Sequence, residues 1–194
     1  MLRGMVFMDH MNFDIALKDL YGGSAPPIDY NKLFPAMVSC IKDVDFLKTF
    51  IFAPQPDDFL INDPKLKSYY KWIVGLSNAA YIDVILGRYI ARPTGADPMS
   101  LEDRGSYYKV EKGTDINLAI NALNKAHFNA YDVAFIMSGD TDYTPVYRLL
   151  KDMGKIVVLV GVKGQNLYKL RPEVDTCLIL DKDFFSTVLR DTDK

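Results

Sequence analysis

Val133-Ala134-Phe135-Ile136-Met137-Ser138-Gly139-Asp140-Thr141-Asp142-Tyr143-Thr144-Pro145 is the stretch whose reading decides the fold. Val133 to Met137 is an unbroken apolar run of strand length, the pattern of a strand covered on both faces. Ser138 and Gly139 break it, and Asp140 and Asp142 follow at once. Pro145 opens a helical pattern that reaches about Met153, with Thr144 expected as its N-cap and Gly154 as its terminator. A strand–acid–helix junction puts carboxylates at the carboxyl end of a strand, the edge on which open α/β sheets bind ligands. Either acid could serve the backbone instead, Asp140 in a turn and Asp142 at the positive end of the helix.

The same design recurs outward from this stretch. Gly4 to Met8 is an apolar run closed by Asp9, with Asn12 three residues on and a helical stripe at Phe13, Ala16, Leu17 and Leu20. Further strands are expected at Phe46–Ala53 (ended by Pro54 and Pro56), Asp83–Ala91, Ile156–Val160 and Cys177–Leu180. Between them, Asp29 caps a helix with Leu33, Met37 and Ile41 on one face, and Pro35 implies a late start or a kink. Asn62-Asp63-Pro64 starts another with Leu66, Tyr69, Tyr70, Ile73 and Ser77 on one face, and Trp72, off that stripe, reads as a second buried edge or else an exposed partner contact. A polar loop, Arg92 to Ser106, leads to a return strand at Tyr107–Val110 that should form a hairpin with the Asp83 strand. Thr114 or Asp115 caps a helix whose core face reads as Ile116, Ala119, Ile120 and Leu123. A short helix near Asn166–Leu170 and a last one from about Asp183 complete the alternation. Strands apolar throughout and alternating with helices define an α/β fold: an open, mainly parallel sheet with helices on both faces.

Composition bounds the rest. The chain has 194 residues, 49% hydrophobic and 25% charged, which suits one domain over residues 1–190 followed by a polar tail at 191–194. A formal net charge of −2 gives no global basic field, so any phosphate-binding surface must be local. No apolar run approaches the ~18 residues of a membrane span, and the first apolar run meets Asp9 too early for a signal peptide. Cys40 and Cys177 are expected as buried free thiols in a reducing cytoplasm.

Asp9, Asp140 and Asp142 follow two buried strands, and Asp115 stands at a helix entry. If those strands are neighbours, four carboxylates gather on one edge, where like charges repel and raise one another's pKa. A divalent cation relieves that cost. Hard oxygen donors, with His10 and His127 lacking zinc spacing, favour Mg²⁺ or Mn²⁺. Such a set suits metal-assisted phosphodiester chemistry.

Three motifs then carry a resemblance. Asp9-x-x-Asn12, Glu111-Lys112-Gly113-Thr114-Asp115 and Ser138-Gly139-Asp140-Thr141-Asp142, in that order, resemble the NYN domain of the PIN-like nuclease superfamily, in its LabA-like (DUF88) branch. The resemblance spans about Met5 to Leu180. It implies PIN-like strand order and Mg²⁺- or Mn²⁺-dependent RNA cleavage, with Asp9, Asp115, Asp140 and Asp142 as metal-site acids. Asn12 and Ser138 would orient them or touch the scissile phosphate. Many members carry further aspartates where this chain has Asn117 and Asn121, which lowers the site's negative charge and bears on whether a second metal is held. Single-stranded RNA is the expected partner, with a homodimer left open. Arg88, Arg92, Arg104, Tyr107, Tyr108, Lys109 and Lys112 form the candidate RNA surface around the hairpin, with Lys163, Lys169 and Arg171 as a second patch. Two other readings compete. Asp140-x-Asp142-x-Thr144 fits the nucleophile motif of haloacid-dehalogenase phosphatases, although it comes late in this chain. A non-catalytic RNA- or metal-binding module would keep the acid edge without turnover.

Overall fold

The structure is a computed structural model and describes residues 1–95 and 97–191. The expected loop at Arg92–Ser106 and tail at 191–194 lie partly outside these residues, at Ala96 and at 192–194. Seven strands form one sheet: β1 (Leu2–Asp9), β2 (Val44–Pro56), β3 (Ile82–Pro93), β4 (Tyr107–Lys112), β5 (Val133–Met137), β6 (Ile156–Val162) and β7 (Thr176–Leu180). Their order is β4-β3-β2-β1-β5-β6-β7, and every neighbouring pair is parallel except the antiparallel hairpin β3–β4. The chain winds one way from β1 to β3 and the other way from β5 to β7. The reversal falls between β1 and β5, and it opens a crevice at their carboxyl ends.

Helices cover both faces, as the alternation requires. On one, α1 (His10–Leu20), α2 (Tyr30–Ser39), α3 (Pro64–Gly75) and α6 (Lys182–Ser186) pack Phe13, Leu17, Phe34, Met37, Ile73 and Phe185 onto Val6, Met8, Ile51 and Phe135. On the other, α4 (Thr114–His127) and α5 (Thr144–Asp152) pack Leu118, Ala122, Val146, Tyr147 and Leu150 onto Phe7, Phe52, Ile136 and Leu159. The strand residues alternate between these two clusters, which is why the strands read as apolar throughout. Trp72 is half-buried on an aromatic cluster with His10, Tyr30 and Tyr69, the first of its two readings.

Local expectations fail at several points. Strand β2 continues through Pro54 and Pro56, because β1 ends opposite Phe52 and leaves β2 with β3 as its one strand neighbour there. A proline's missing donor is tolerated where alternate N–H groups face no partner. Pro35 sits inside α2, which starts at once after its Asp29 cap rather than late. Ile116 and Ile120 are 62% and 59% exposed, and the buried face of α4 is Thr114, Leu118, Ala122 and Ala126. The two faces differ by about one residue of helical rotation, and the smaller side chains allow the closer packing on β1 to β3. Residues 166–170 form no helix: a turn at 168–170 leads into a 3₁₀ turn at Arg171–Glu173. Cys40 is exposed and Cys177 half-buried, so neither is the buried thiol expected.

The start of α4 depends on two glycines. Gly113 takes φ +80 immediately before the helix, a conformation other residues resist. Gly87 on β3 faces the helix start, and a Cβ there would lie 2.7 Å from the Thr114 nitrogen and closer still to its hydroxyl. Gly87→Ala is expected to force α4 off β3 and to cost about 1–3 kcal/mol, the usual range for overpacking. Urea denaturation of the purified variant measures it.

Candidate functional site

The crevice between β1 and β5 is held by side chains from three strand-end loops. Asp9 ends β1 and caps α1, its Oδ1 accepting from the Asn12 nitrogen at 3.1 Å. Its Oδ2 accepts from the Ser138 hydroxyl at 3.2 Å, and the same Ser138 oxygen accepts from the Asp140 nitrogen at 3.2 Å. Asn12 Oδ1 accepts from the Gly139 nitrogen at 2.8 Å and from Gln165 Nε2 at 2.9 Å. Gln165 Oε1 in turn accepts from the Val162 nitrogen at 2.9 Å. Asn12 therefore orders the backbone after β5 rather than touching the acids with its side chain. Gln165 was not singled out from the sequence, since a lone glutamine in a loop carries no pattern.

Asp140 does not precede an N-capping Thr144 as expected. Its Oδ1 accepts from the Asp142 nitrogen at 2.9 Å and caps a 3₁₀ turn, Thr141–Tyr143, that leads into α5. The Thr144 hydroxyl donates to the Thr141 carbonyl at 2.8 Å, and the cap position before α5 is Tyr143, without a side-chain bond. Asp115 sits in the first turn of α4, where its Oδ1 accepts from the Tyr143 hydroxyl at 3.1 Å. Burial and the charges of Asp9 and Asp115 push the Tyr143 phenol upward, so it stays protonated and donates.

Charge accumulates here. Asp9 is only 6% exposed, and desolvation, together with repulsion from Glu111 and Asp115, pushes its carboxyl up to about 6. The Asn12 and Ser138 hydrogen bonds act against that rise without cancelling it. Glu111 is also raised, by desolvation first and by Asp115 among the charges, while Thr114 and Tyr89 pull it down. Glu111 belongs to the Lys-Gly-x-Asp motif segment but was not assigned a role from sequence; its place on β4, opposite Tyr89 of β3, brings it in. Asp142 is exposed, and its backbone nitrogen donates to Asp140. Among the described residues no three His, Cys, Asp or Glu side chains are close enough to hold one ion. Asn117 Nδ2 donates to the Leu86 carbonyl at 3.1 Å and Asn121 Nδ2 to the Asn117 carbonyl at 2.9 Å. An aspartate could make neither bond, so these amides fasten α4 rather than serve the crevice.

The candidate RNA surface is divided by the pleat of the β3–β4 hairpin. Directly paired residues share a face, and faces alternate along each strand. Arg88 with Lys112 and Arg92 with Tyr108 lie on one side, and all four are exposed. Tyr89 with Glu111, Ala91 with Lys109 and Pro93 with Tyr107 lie on the other, with Lys109 Nζ 5.5 Å from the Tyr89 ring. Tyr107 is 7% exposed and packs edge-on against Phe59, so it cannot stack a base. Arg104 pairs with Asp63 at 2.6 Å, which seals the cap of α3. A cleft lined by Gln55, Asp57, Asp58, Arg88 and Tyr89 adjoins the hairpin.

With fold and crevice in view, comparison with known proteins places the chain in a class. The NYN domain profile matches residues 3–181, and the chain belongs to the NYN domain family. It therefore carries a nuclease-like fold. It is also similar to the crystal structure of a protein of unknown function from Vibrio parahaemolyticus, with TM-score 0.60 and 20% identity over 94% of this chain and 95% of that one. That likeness concerns the fold alone. No curated protein matches the chain. Among the described residues no helix is long and apolar enough to cross a membrane.

A carboxyl raised from the usual ~3.9 to about 6 stays protonated in the folded protein over a range where the unfolded chain has lost its proton. Its contribution therefore makes stability fall as pH rises from about 4 to 6, and then level off. Asp9→Asn keeps the cap oxygen and removes the charge. It is expected to raise the metal-free melting temperature at pH 7 and to flatten that decline. Thermal scans from pH 4 to 8 in EDTA test both.

Proposed function

We propose that this protein is a metal-dependent ribonuclease of the LabA-like branch, cleaving RNA phosphodiester bonds at the carboxyl edge of β1 and β5. The observation that carries the reading is Asp9, a carboxyl buried at the switch point of the sheet and held there by Asn12 and Ser138. The donors are oxygens alone, which fits Mg²⁺ or Mn²⁺. Mg²⁺ commonly takes one or two carboxylates and keeps several waters. Asp9 would hold it, with Asp115 or Asp140 as second ligand and Asp142 reached through water. A bound ion supplies Lewis acidity toward the phosphate and a more acidic water. Ser138 and Asn12 fix Asp9 and the Gly139 backbone, and the Tyr143 hydroxyl fixes Asp115. Glu111, made more basic by its partial desolvation and by Asp115, is suited to take a proton from the attacking water. The exposed Cys40 thiol supports a reducing, cytoplasmic setting.

A non-catalytic RNA- or metal-binding role is the second reading, favoured by the lack of a closed cluster among the described residues. Two experiments separate them. Asp140→Asn should abolish Mn²⁺-dependent cleavage of a labelled RNA and leave the circular dichroism spectrum unchanged; undiminished cleavage would remove Asp140 from the reaction. Mn²⁺ at ten times its Kd should stabilise the wild type by about 1.4 kcal/mol. In a chain of this length that is a melting shift of roughly 3–6 °C. The shift should vanish in Asp9→Asn with Asp140→Asn.

RNA affinity should fall with salt as counterions are released. Arg88→Ala with Lys112→Ala, on the exposed hairpin face, should reduce the log–log slope by about 1–2 units if each meets one phosphate. Arg104→Ala should leave it unchanged, because that guanidinium is engaged by Asp63.

A further inference from the structure

The loop after β6 presents Tyr168 with 81% of its surface exposed, more than any other aromatic side chain among the described residues. That exposure is built rather than accidental. Leu167 before it and Leu170 after it are buried in the core under α5. The Leu170 and Arg171 nitrogens donate to the Leu167 carbonyl at 3.0 and 3.1 Å, and Asn166 Oδ1 accepts from the Tyr168 nitrogen at 3.3 Å. Gln165 ties the same loop to Asn12 and so to the crevice. The ring is held out into solvent by a turn whose neighbours are anchored on both sides.

A cation follows it in the chain. Lys169 is exposed and forms no ion pair among the described residues. Glu173, the acid nearest in sequence, is committed to Arg148 through bonds of 2.8 and 2.7 Å. Lys163 contributes less, since Asp19, Asp181 and Asp183 line the clefts it borders. The loop neighbours the Ser138–Asp140 turn, and β6 lies two strand spacings from β1, ~10 Å across the sheet. Arg88, Arg92, Tyr108 and Lys112 stand on the opposite flank of the same edge.

We propose that Tyr168 is a stacking platform for a base of single-stranded RNA, with Lys169 meeting an adjacent phosphate. Rings of this kind accept any base, because every base offers a π-face. The side of the crevice that the strand follows rests on the nuclease reading, but the binding itself does not.

The test is fluorescence anisotropy of a labelled single-stranded oligoribonucleotide, in EDTA and again with Ca²⁺, alongside cleavage with Mn²⁺. Tyr168→Ala is expected to weaken binding roughly 5- to 150-fold, the stacking worth of one base, and Tyr168→Phe to stay within about twofold of wild type. Lys169→Ala should lower the salt slope by about 0.7, the increment for one phosphate of a single strand. Wild-type affinity in Tyr168→Ala overturns the proposal, as does a wild type that binds no single strand. Loss of self-association in sedimentation with RNA affinity unchanged would make the ring a protein contact and overturn it too. Binding that depends on Tyr168 without any cleavage upholds the platform and removes the nuclease reading. Cleavage with a dispensable Tyr168 does the reverse.

Discussion

An aspartate buried at the seam between two parallel strands costs free energy that the rest of this structure is arranged to offset. Asp9 lies where the sheet reverses its winding, and its carboxyl is desolvated and faced by Glu111 and Asp115. The Ser138 hydroxyl and the Asn12 nitrogen stabilise its charged form, but they do not return it to the ordinary carboxylate range. A fold selected for stability alone would place a neutral side chain there. Retaining the charge makes sense if something positive visits it, and that is the physical ground of the nuclease reading.

The framework around Asp9 is stiff. One side chain, Asn12, joins the loops after β1, β5 and β6, and Gly139 has little room for a Cβ because Gln165 Nε2 would stand 3.0 Å from it. The other acids arrive on separate elements: Asp115 through the left-handed Gly113 and the close approach at Gly87, and Asp140 through a capped 3₁₀ turn. The Asp115 carboxylate accepts from Tyr143 and the Asp140 carboxylate from the Asp142 nitrogen, while Ser138 links the Asp140 backbone to Asp9. Beneath the crevice, His10 is fully buried between the Tyr30 and Tyr69 hydroxyls, at 2.9 Å each, and burial pushes its imidazole down to about 4. It is therefore neutral at ordinary pH, and it secures α1 to α2 and α3 without adding charge next to Asp9.

The sheet reaches past this centre on both flanks. The β3–β4 hairpin offers arginine, lysine and one exposed tyrosine on a single face, and the loop after β6 offers Tyr168 and Lys169. A chain with net charge −2 can hold a polyanion only through such local surfaces. Pairing across the hairpin puts Arg88, Arg92 and Lys112 on one face and Lys109 on the other, while Arg104, in the loop between the strands, is engaged by Asp63.

Much of the architecture was legible in the residues, because the signals involved are local. Unbroken apolar runs ending in acids marked β1 and β5 as covered strands, and proline after aspartate marked the start of α3. The three motifs carried the family in the same way. What periodicity could not settle was helix rotation: Ile116 and Ile120 trace an apolar stripe, yet Leu118, Ala122 and Ala126 face the sheet, in a helix whose start is held against β3 by the close approach of Gly87 to Thr114. Nor could composition tell Tyr107 from Tyr108, adjacent in sequence and on opposite sides of a pleat. Gln165 and Tyr168 carry no local signature of a site, and Glu111 lies in a motif that assigns it no role. Only the order of strands across the sheet brings them to the edge where Asp9 lies, and that order is set by contacts between residues far apart in the chain.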